Sequence, residues 1–297
     1  MKYKINSKED VASISSLFSF DNKVTLVIRE AGLNIVKHTK GGEFLFYSLE
    51  DKYRLVFSDI SDGFDIKKAF VKGFSSSKTL GIGLNLLINI VDYMEIIPKK
   101  NGTIFIFEMY KKEKKEYCLF SKKFKHCEVF LKTNPFLSIT TSGDCGIFEK
   151  VGKKFLFALW DIEGHGSQEV YSASKKLKKL ILTFKHFDLK DSIDVINYLF
   201  CFSKRASLII GEIKQDIFLY QFGNVKFLQN GFISPSTKGI FGMTILEKKE
   251  YNLPIDNIAL FSDGIKLNTI PFSYEELSNL LKNKELDDAS ILSIKVK

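Results

Sequence analysis

Short apolar segments with the pattern of β-strands dominate the second half of the chain. They alternate apolar and polar residues or run as continuous apolar stretches, and turn-forming residues separate them. Three segments in this half have helical spacing instead, at about 166–184, 190–203 and 273–283. A sheet sandwich flanked by helices is therefore expected. The predicted strands lie at 128–133, 146–151 and 154–161, followed by ASLIIGEI, DIFLYQFG, VKFLQN, NIALFSDG and the closing ASILSIKV.

The first half mixes helices and strands in a different order. Residues 23–39 repeat apolar side chains at helical spacing, and two glycines end this helix. A two-stranded hairpin follows in EFLFYSLEDKYRLVFSDIS, and a connection containing glycine and serine covers 61–80. A helix is predicted at about 81–94, and TIFIFEMYK (103–111) alternates as a strand. This order predicts an N-terminal two-layer α/β sandwich, so the whole chain is assigned to the α+β class.

The length and the charge pattern predict two domains. A chain of 297 residues favours two domains over one. Charge density rises and hydrophobic periodicity lapses in KKEKKEYCLFSKKFK (111–125). We therefore predict an N-terminal domain at 1–112, a linker at 113–127 and a C-terminal domain at 128–297.

Composition bears on the cellular compartment of the protein and on the classes of partner that it can bind. The net charge is +9, but the lysines are scattered in short runs mixed with acids or on helix faces, so we expect a solvated surface and no nucleic-acid partner. The four cysteines lack the spacing of a metal site or a disulfide framework, and the first residues lack the apolar core of a signal peptide. The longest apolar run, from Leu84 to Val91, is too short to span a bilayer. These features predict a cytoplasmic protein with reduced thiols and no membrane partner.

Polar residues and glycines in the first half indicate a nucleotide site. Glu30 and Asn34 are four residues apart, so both side chains project from one face of the predicted helix. Asp59 ends a strand, while Gly81 and Gly83 stand at a helix start, where free N–H groups and the helix dipole suit phosphate. Taken alone, Glu30 and Asn34 are equally well explained as residues at the solvent edge of an amphipathic helix.

The order and spacing of these segments resemble the GHKL ATPase fold in its anti-sigma-factor serine-kinase branch, the RsbT/RsbW type. That branch has a helix with Glu and Asn four apart, a strand ending in Asp-x-Gly-Pro-Gly, a lid, a glycine box and a late Gly-Thr. The corresponding segments here are REAGLNIVKH, SDISDGF, GFSSS, TLGIGL and NGT.

This resemblance implies a role for each matching residue. Asp59 would accept the amino group of adenine, and Asn34 would coordinate the Mg²⁺ bound to ATP. Glu30 would be the general base for phosphoryl transfer to a protein hydroxyl. The remaining cofactor-binding positions implied by the resemblance are Gly63, Gly81, Gly83 and Thr103.

Two positions depart from the pattern of that branch. Ser61 stands where the first glycine after the aspartate is expected, and Thr79 replaces the first glycine of the later box. We expect ATP binding to survive these changes, and kinase turnover is left open.

Four acidic residues in the second half share one setting, the end of an apolar strand beside small or turn-forming residues. Carboxylates clustered at strand ends repel one another unless cations hold them, and hard oxygen ligands suit Mg²⁺ or Mn²⁺. Any one of the four is explained equally well as a turn residue, because Asp-Gly marks turns. They are Asp144 in SGDCG, Asp161 in FALWDIEGHG, Asp263 in ALFSDG and Asp287 in LDDAS.

The set resembles the PPM-family metal-dependent protein phosphatases, in the branch of the stage II sporulation phosphatase and the RsbU and RsbX stress phosphatases. The resemblance implies that Asp161 bridges two divalent ions with help from the backbone carbonyl of Ile162. Two metals would lower the pKa of a shared water, which attacks phosphoserine or phosphothreonine. The other implied ligands are Asp144, Asp263 and Asp287. The matching segments are Ser142-Gly143-Asp144, Asp161 to Gly166, Gly223-Asn224, Ser262-Asp263-Gly264 and Asp287-Asp288-Ala289-Ser290.

Three positions near these segments have open roles. Asp288 is the alternative to Asp287 as the last metal ligand. His165 is either a general acid or, as is more usual for a histidine between two glycines, a structural residue. Gly223-Asn224 is interpreted as a turn rather than as a ligand.

Together the two resemblances imply a partner-switching regulator that acts on a STAS-domain protein modified on Ser or Thr. In the first hypothesis the phosphatase is the output, and the N-terminal domain senses ATP or a partner. In the second the protein is a bifunctional kinase and phosphatase with Glu30 as the kinase base. In the third both domains only bind a partner, and the complete acidic set argues against this. The resemblance also leaves a homodimer open.

Overall fold

The structure, a computed structural model, describes most of the chain and separates it into two units. Unit 1 comprises Met1–Lys115 and Lys179–Leu199, and unit 2 comprises Glu116–Lys178 and Phe200–Lys297. The described residues are 1–71, 82–112, 119–134, 142–164, 167–201, 203–243, 247–263, 265–281 and 288–297.

Unit 1 contains one antiparallel sheet. Its strands are β1 (Lys2–Ile5), β2 (Gly42–Ser48), β3 (Lys52–Asp59), β4 (Tyr93–Lys99) and β5 (Gly102–Tyr110). Their order in the sheet is β1-β2-β3-β5-β4. Aromatic side chains at alternate positions are buried on one face, where the Phe44 ring stacks on Phe57 with 4.7 Å between centroids. Such cross-strand aromatic pairs are a main source of sheet stability.

Helices of unit 1 include α1 (Lys8–Leu17), α2 (Asn22–His38), α3 (Ile66–Phe70) and α4 (Ile82–Ile90). Helix α2 begins after Asp21, whose Oδ1 accepts hydrogen bonds from the backbone N–H groups of Lys23 and Val24. This cap satisfies two donors that have no partner within the helix. The apolar face of α2 is buried, which leaves Glu30 and Asn34 half-buried beside it.

The sequence predicted the main elements of this unit but misjudged one boundary and missed others. The helix predicted at about 81–94 ends at Ile90, and residues 93 and 94 already belong to β4. Pairing with β5 buries Met94 and Ile96, so tertiary contacts override the continuous apolar pattern. The prediction also lacked β1 and α1, although Ser7 and Asp10 form a reciprocal capping box at the start of α1.

Unit 2 contains two antiparallel sheets. The strands are β6 (Leu119–Lys123), β7 (Cys127–Asn134), β8 (Cys145–Val151), β9 (Lys154–Ile162), β10 (Ala206–Ile213), β11 (Ile217–Phe222), β12 (Lys226–Gln229), β13 (Phe232–Ile233), β14 (Lys249–Leu253), β15 (Ile258–Phe261) and β16 (Ala289–Val296). The first sheet has the order β14-β11-β10-β9-β8, and the second has the order β13-β12-β15-β16-β7-β6.

The inner faces of these two sheets share one apolar core. Phe148 and Phe157 from the first sheet and Phe227 and Leu260 from the second are fully buried in it. Helix α7 (Tyr274–Leu281) adds a second apolar cluster through Leu277 and Leu281, together with β15 and β16. The α+β class expected for the whole chain is confirmed, and the sheets of the second half are antiparallel.

Two further helices connect β9 to β10. They are α5 (Gln168–Thr183) and α6 (Leu189–Phe200). Within unit 2, the buried indole N–H of Trp160 donates to Ser174 Oγ at 2.8 Å, which ties β9 to α5. None of the described helices combines the length and apolarity required to cross a bilayer.

The cysteines differ in their covalent state. Cys127 and Cys201 are free thiols, whereas Cys145 at the start of β8 is disulfide-bonded. The expectation of reduced thiols is therefore wrong for Cys145.

An ionic cluster within unit 1 holds the segment after α5 against β4. Glu95 accepts hydrogen bonds from Tyr93 Oη at 2.7 Å and from Lys185 Nζ at 3.0 Å, and His186 Nε2 lies 2.7 Å from its Oε1. Burial raises the pKa of Glu95, but the hydrogen bonds from His186, Tyr93 and Lys185 outweigh this and lower it to about 2. The folded state therefore favours the ionised carboxylate.

We predict that Glu95→Gln lowers the free energy of unfolding by about 3 kcal/mol at pH 7. A depressed pKa contributes stability above the unfolded-state value of about 4.5 and loses it as the pH falls towards 2. Urea unfolding at pH 7 and pH 3 should therefore show a smaller difference between wild type and variant at pH 3. Glu50→Gln, in the exposed β2–β3 turn, is the matched control and should have little effect. An equal loss at both pH values would contradict the role of the ionised carboxylate.

Candidate functional sites

The first turns of α4 face two polar side chains of α2. A Cβ atom placed on Gly83 would lie 3.1 Å from Glu30 Oε2 and 3.3 Å from Asn34 Nδ2. The amide nitrogen of Asn34 is buried and has no hydrogen-bond partner in the structure. A buried donor without a partner is costly, so a bound acceptor such as a phosphate or a water would satisfy it. The structure thus brings together Glu30, Asn34 and Gly83, and their binding of a nucleotide stays a prediction.

The end of β3 forms a second polar group in unit 1. Asp59 Oδ1 accepts hydrogen bonds from the backbone N–H of Thr103 at 2.9 Å and from Ser61 Oγ at 2.8 Å. Burial raises the pKa of Asp59 above its ordinary value, and these two hydrogen bonds oppose the shift. The hydroxyl of Thr103 is buried without a hydrogen-bond partner. Two polar groups at this position are therefore free to bind a ligand, Thr103 Oγ1 and the second oxygen of Asp59.

Gly102 allows β5 to approach Asp59 this closely. Its φ is +135°, a conformation that favours glycine, and an added Cβ would lie 2.1 Å from the carbonyl oxygen of Asp59. Gly63 also has a positive φ of +127°, but nothing lies within 4 Å of its Cβ position. The predicted phosphate-binding Gly81 and the altered position Thr79 lie outside the described residues.

In unit 2, Gly143 places Asp144 beside the end of β9. A Cβ on Gly143 would lie 2.5 Å from Val170 Cγ1 and 3.3 Å from the carbonyl oxygen of Ile162. The loop before β8 can therefore pack against β9 and α5 only without a side chain at this position. The predicted ligands Asp144, Asp161 and Ile162 are brought to one region by this contact.

The Asp144 carboxylate is fully buried, and neither of its oxygens has a hydrogen-bond partner in the structure. Its pKa is raised well above the ordinary value, first by burial and then by repulsion from Asp161 and Asp288. Ser262 acts in the opposite direction and lowers the pKa of Asp144, but it does not cancel the effects of burial and repulsion. A buried carboxylate beside two others needs a proton or a cation to be stable.

Asp288 is the acidic residue of the terminal segment that lies next to Asp144. Its side chain is buried, and its Oδ2 accepts a hydrogen bond from the backbone N–H of Gly143 at 2.8 Å. The predicted ligand Asp287 lies outside the described residues. Asp288 is the residue that the sequence analysis gives as the alternative to Asp287. Sequence spacing does not predict its hydrogen bond with Gly143.

Asp263 follows the end of β15. Beyond this strand, the Ser262 N–H donates to the Ser290 carbonyl oxygen at 3.0 Å, and the Ser290 N–H donates to the side-chain Oγ of Ser262 at 2.9 Å. These two bonds hold the residue before Asp263 beside β16. Asp263 is half-buried.

Gly223 and Asn224 form a turn, as interpreted from the sequence. The Gly223 N–H donates to Thr237 Oγ1 at 2.7 Å, and the Asn224 N–H donates to Ser207 Oγ at 3.1 Å. Ser207 pairs with Asp161 across β10 and β9, so the turn lies one strand away from Asp161. His165 and Gly166 lie outside the described residues.

The acidic residues of unit 2 fit a divalent cation by their chemistry. Within the described ranges, no group of three or more His, Cys, Asp or Glu side chains is already arranged to hold a metal ion. The unpartnered, buried oxygens of Asp144 are nevertheless the hard ligands that Mg²⁺ and Mn²⁺ prefer. Asp287, which the resemblance makes a ligand, lies outside the described residues.

Solved structures align with part of this chain. RsbX in complex with magnesium aligns with 60% of this chain and 100% of its own, with a TM-score of 0.54 and 18% sequence identity. The RsbU and RsbW domains of a Mycobacterium tuberculosis protein align with 58% of this chain and 60% of theirs (TM-score 0.46, 13% identity). The serine/threonine phosphatase Stp1 from Staphylococcus aureus aligns with 63% of this chain and 99% of its own (TM-score 0.47, 11% identity). No protein-family model and no curated protein matches the sequence.

The alignment with RsbX shows the PPM phosphatase fold over that share of the chain. A shared fold at this identity does not by itself assign a reaction. The kinase-like fold of the N-terminal domain and the residue roles given above remain predictions.

We predict that Gly102→Ala destabilises the protein more than Gly63→Ala, by about 2 kcal/mol or more. Both positions have positive φ, so alanine costs about 1–2 kcal/mol at each from backbone strain. Only at Gly102 does the added methyl group also clash with the backbone of Asp59. Urea unfolding of the two variants measures the difference. Equal losses would show that the approach of β5 to Asp59 is not tight.

Proposed function

We propose that this chain is a metal-dependent protein serine/threonine phosphatase whose activity is regulated by ATP binding to its N-terminal domain. The observation that carries the proposal is the buried Asp144 carboxylate without hydrogen-bond partners, next to Asp161 and Asp288, in a chain that contains the PPM fold. A protein that only bound partners would have no use for such a costly arrangement. The acidic residues, rather than any cysteine or histidine, therefore define the reaction class.

The residues that would hold the metal ions are Asp144, Asp161, the carbonyl of Ile162, Asp263 and Asp287. Bound Mg²⁺ or Mn²⁺ would supply a hydroxide at neutral pH and neutralise the phosphate charge. The chain itself contributes the positions of these oxygens. Gly143 lets the Asp144 loop approach β9, and Asp288 fixes that loop through its bond to the Gly143 N–H. Burial of Asp144 keeps competing water away from its carboxylate.

The N-terminal domain supports ATP binding through its two polar groups. Asp59 and Thr103 offer an acceptor and a hydroxyl at the end of β3, where the adenine ring is expected. Asn34 offers a buried amide nitrogen beside the first turn of α4, where phosphates are expected. The departures at Ser61 and Thr79 favour a sensor over an active kinase.

A bifunctional kinase and phosphatase is the second candidate, and the position of Glu30 favours it. Its carboxylate lies next to Gly83, at the helix start that would bind phosphates. A carboxylate near a γ-phosphate is repelled by it, so its retention is best explained by a role as general base. The proposed substrate in both cases is a STAS-domain protein in the cytoplasm, in its phosphorylated form for the phosphatase and in its unphosphorylated form for the kinase.

We predict that Asp161→Ala lowers phosphatase activity with Mn²⁺ by more than about 100-fold. The assay measures release of phosphate from a serine-phosphorylated STAS-domain protein and, independently of partner identity, from p-nitrophenyl phosphate. Asp216→Asn, in the exposed β10–β11 turn of the same unit, is the matched control and should retain activity. Persistence of wild-type activity in Asp161→Ala would remove the metal assignment. Activity on p-nitrophenyl phosphate but not on the STAS-domain protein would support the phosphatase reaction and contradict the proposed class of substrate protein.

We predict that ATP changes the phosphatase rate by about fivefold or more and that no phosphate is transferred to the partner. Label transfer from γ-labelled ATP is measured in the Asp161→Ala background, so that the phosphatase cannot remove the label. Transfer that is abolished by Glu30→Gln would establish the bifunctional alternative, since a general base contributes about 100-fold or more. A phosphatase rate that ATP leaves unchanged, with no transfer, would reject both roles of the N-terminal domain.

A further inference from the structure

We propose that Ser61 is a positioning residue that fixes the Asp59 carboxylate so that one defined oxygen selects a purine with an amino group at C6 over a purine with a keto group at C6. The inference rests on the proposed ATP-binding function and adds a residue that the resemblance does not supply. The GHKL pattern has glycine at this position, so a side-chain hydroxyl here is a property of this chain.

The hydrogen bonds around Asp59 all converge on one of its two oxygens. Ser61 Oγ donates to Oδ1 at 2.8 Å, and the backbone N–H of Thr103 donates to the same atom at 2.9 Å. In the described part of the chain no hydrogen bond reaches Oδ2. Two donors on Oδ1 hold the plane of the carboxylate, so Oδ2 is left as the acceptor for a ligand.

The backbone around Asp59 cannot provide this constraint alone. The Thr103 N–H is brought into range by the close approach of Gly102 to the Asp59 carbonyl. A single donor on Oδ1 still permits rotation of the carboxylate about its Cβ–Cγ bond, which is a broad torsion. The Ser61 hydroxyl, two residues after Asp59 in the chain, donates the second hydrogen bond to Oδ1 and thereby restricts this rotation.

The same bonds favour the ionised form that discrimination requires. Burial raises the pKa of Asp59, and the bonds from Ser61 and Thr103 counteract this rise. An ionised carboxylate only accepts hydrogen bonds, so it binds the amino group of adenine and repels the keto oxygen of guanine. A protonated carboxyl would donate to that keto oxygen and lose the selectivity.

The experiment measures the affinities of the full-length protein for ATP and for GTP in Mg²⁺ by isothermal titration calorimetry. Wild type should prefer ATP. We expect Ser61→Ala and Ser61→Gly to reduce the ratio of ATP to GTP affinity by about three- to tenfold, which is the size of effect expected from the loss of one ordinary hydrogen bond. Ser61→Thr retains the hydroxyl and should keep the ratio. Ser58→Ala, one position before Asp59 on the opposite face of β3, is the matched control and should leave the ratio unchanged.

Asp59→Asn separates failure of the Ser61 role from failure of the site. If Asp59→Asn weakens ATP binding while Ser61→Ala and Ser61→Gly keep the wild-type ratio, the nucleotide site stands and Ser61 has no positioning role. If wild type binds no ATP, both the proposed ATP-binding function and the role of Ser61 are overturned. A fall in both affinities by the same factor in Ser61→Ala would indicate a structural effect and would also overturn the proposal.

Discussion

The carboxylate of Asp144 lies in unit 2 with both oxygens buried, without a hydrogen-bond partner in the structure, and in the field of Asp161 and Asp288. Removing such a charge from water costs several kcal/mol, so the folded state must either protonate it or bind a cation. The apolar core between the two sheets stabilises the fold and so allows this local cost. The loop before β8, the end of β9 and the segment that leads into β16 together bring these three acidic residues close to one another.

Both candidate sites depend on positions where a side chain cannot be accommodated. Gly143 lets the Asp144 loop pack against Val170 and the Ile162 carbonyl, and Gly102 lets β5 pack against the Asp59 carbonyl. In each case the glycine directly precedes a residue of the candidate site, Asp144 after Gly143 and Thr103 after Gly102. The close backbone approach brings that residue within reach of a hydrogen-bond partner or a ligand. The glycines thus contribute geometry rather than binding atoms.

Periodicity and family resemblance predicted the elements that carry the sites, because α2 and the strands of unit 2 have strong local patterns. They did not predict β4 after Ile90, where pairing with β5 decides the conformation, or the short β1. In the sites, the types of residue were predictable but their partners were not. The bonds from Ser61 to Asp59 and from the Gly143 N–H to Asp288 depend on backbone positions that no single sequence pattern encodes.

The two sites differ in how far the protein itself satisfies their carboxylates, and we propose different roles for them on this ground. Asp59 already accepts two hydrogen bonds, so unit 1 has little need of a ligand to stabilise that carboxylate. Asp144 accepts none within the described ranges, so its ionised form is unstable unless a cation is bound. A ligand whose binding removes a large free-energy cost stays bound over a wide range of concentrations. The occupancy of a ligand that removes only a small free-energy cost follows the concentration of that ligand. Metal is therefore the better candidate for a resident component of the protein and nucleotide the better candidate for a signal, which agrees with the proposed function of a phosphatase that responds to ATP.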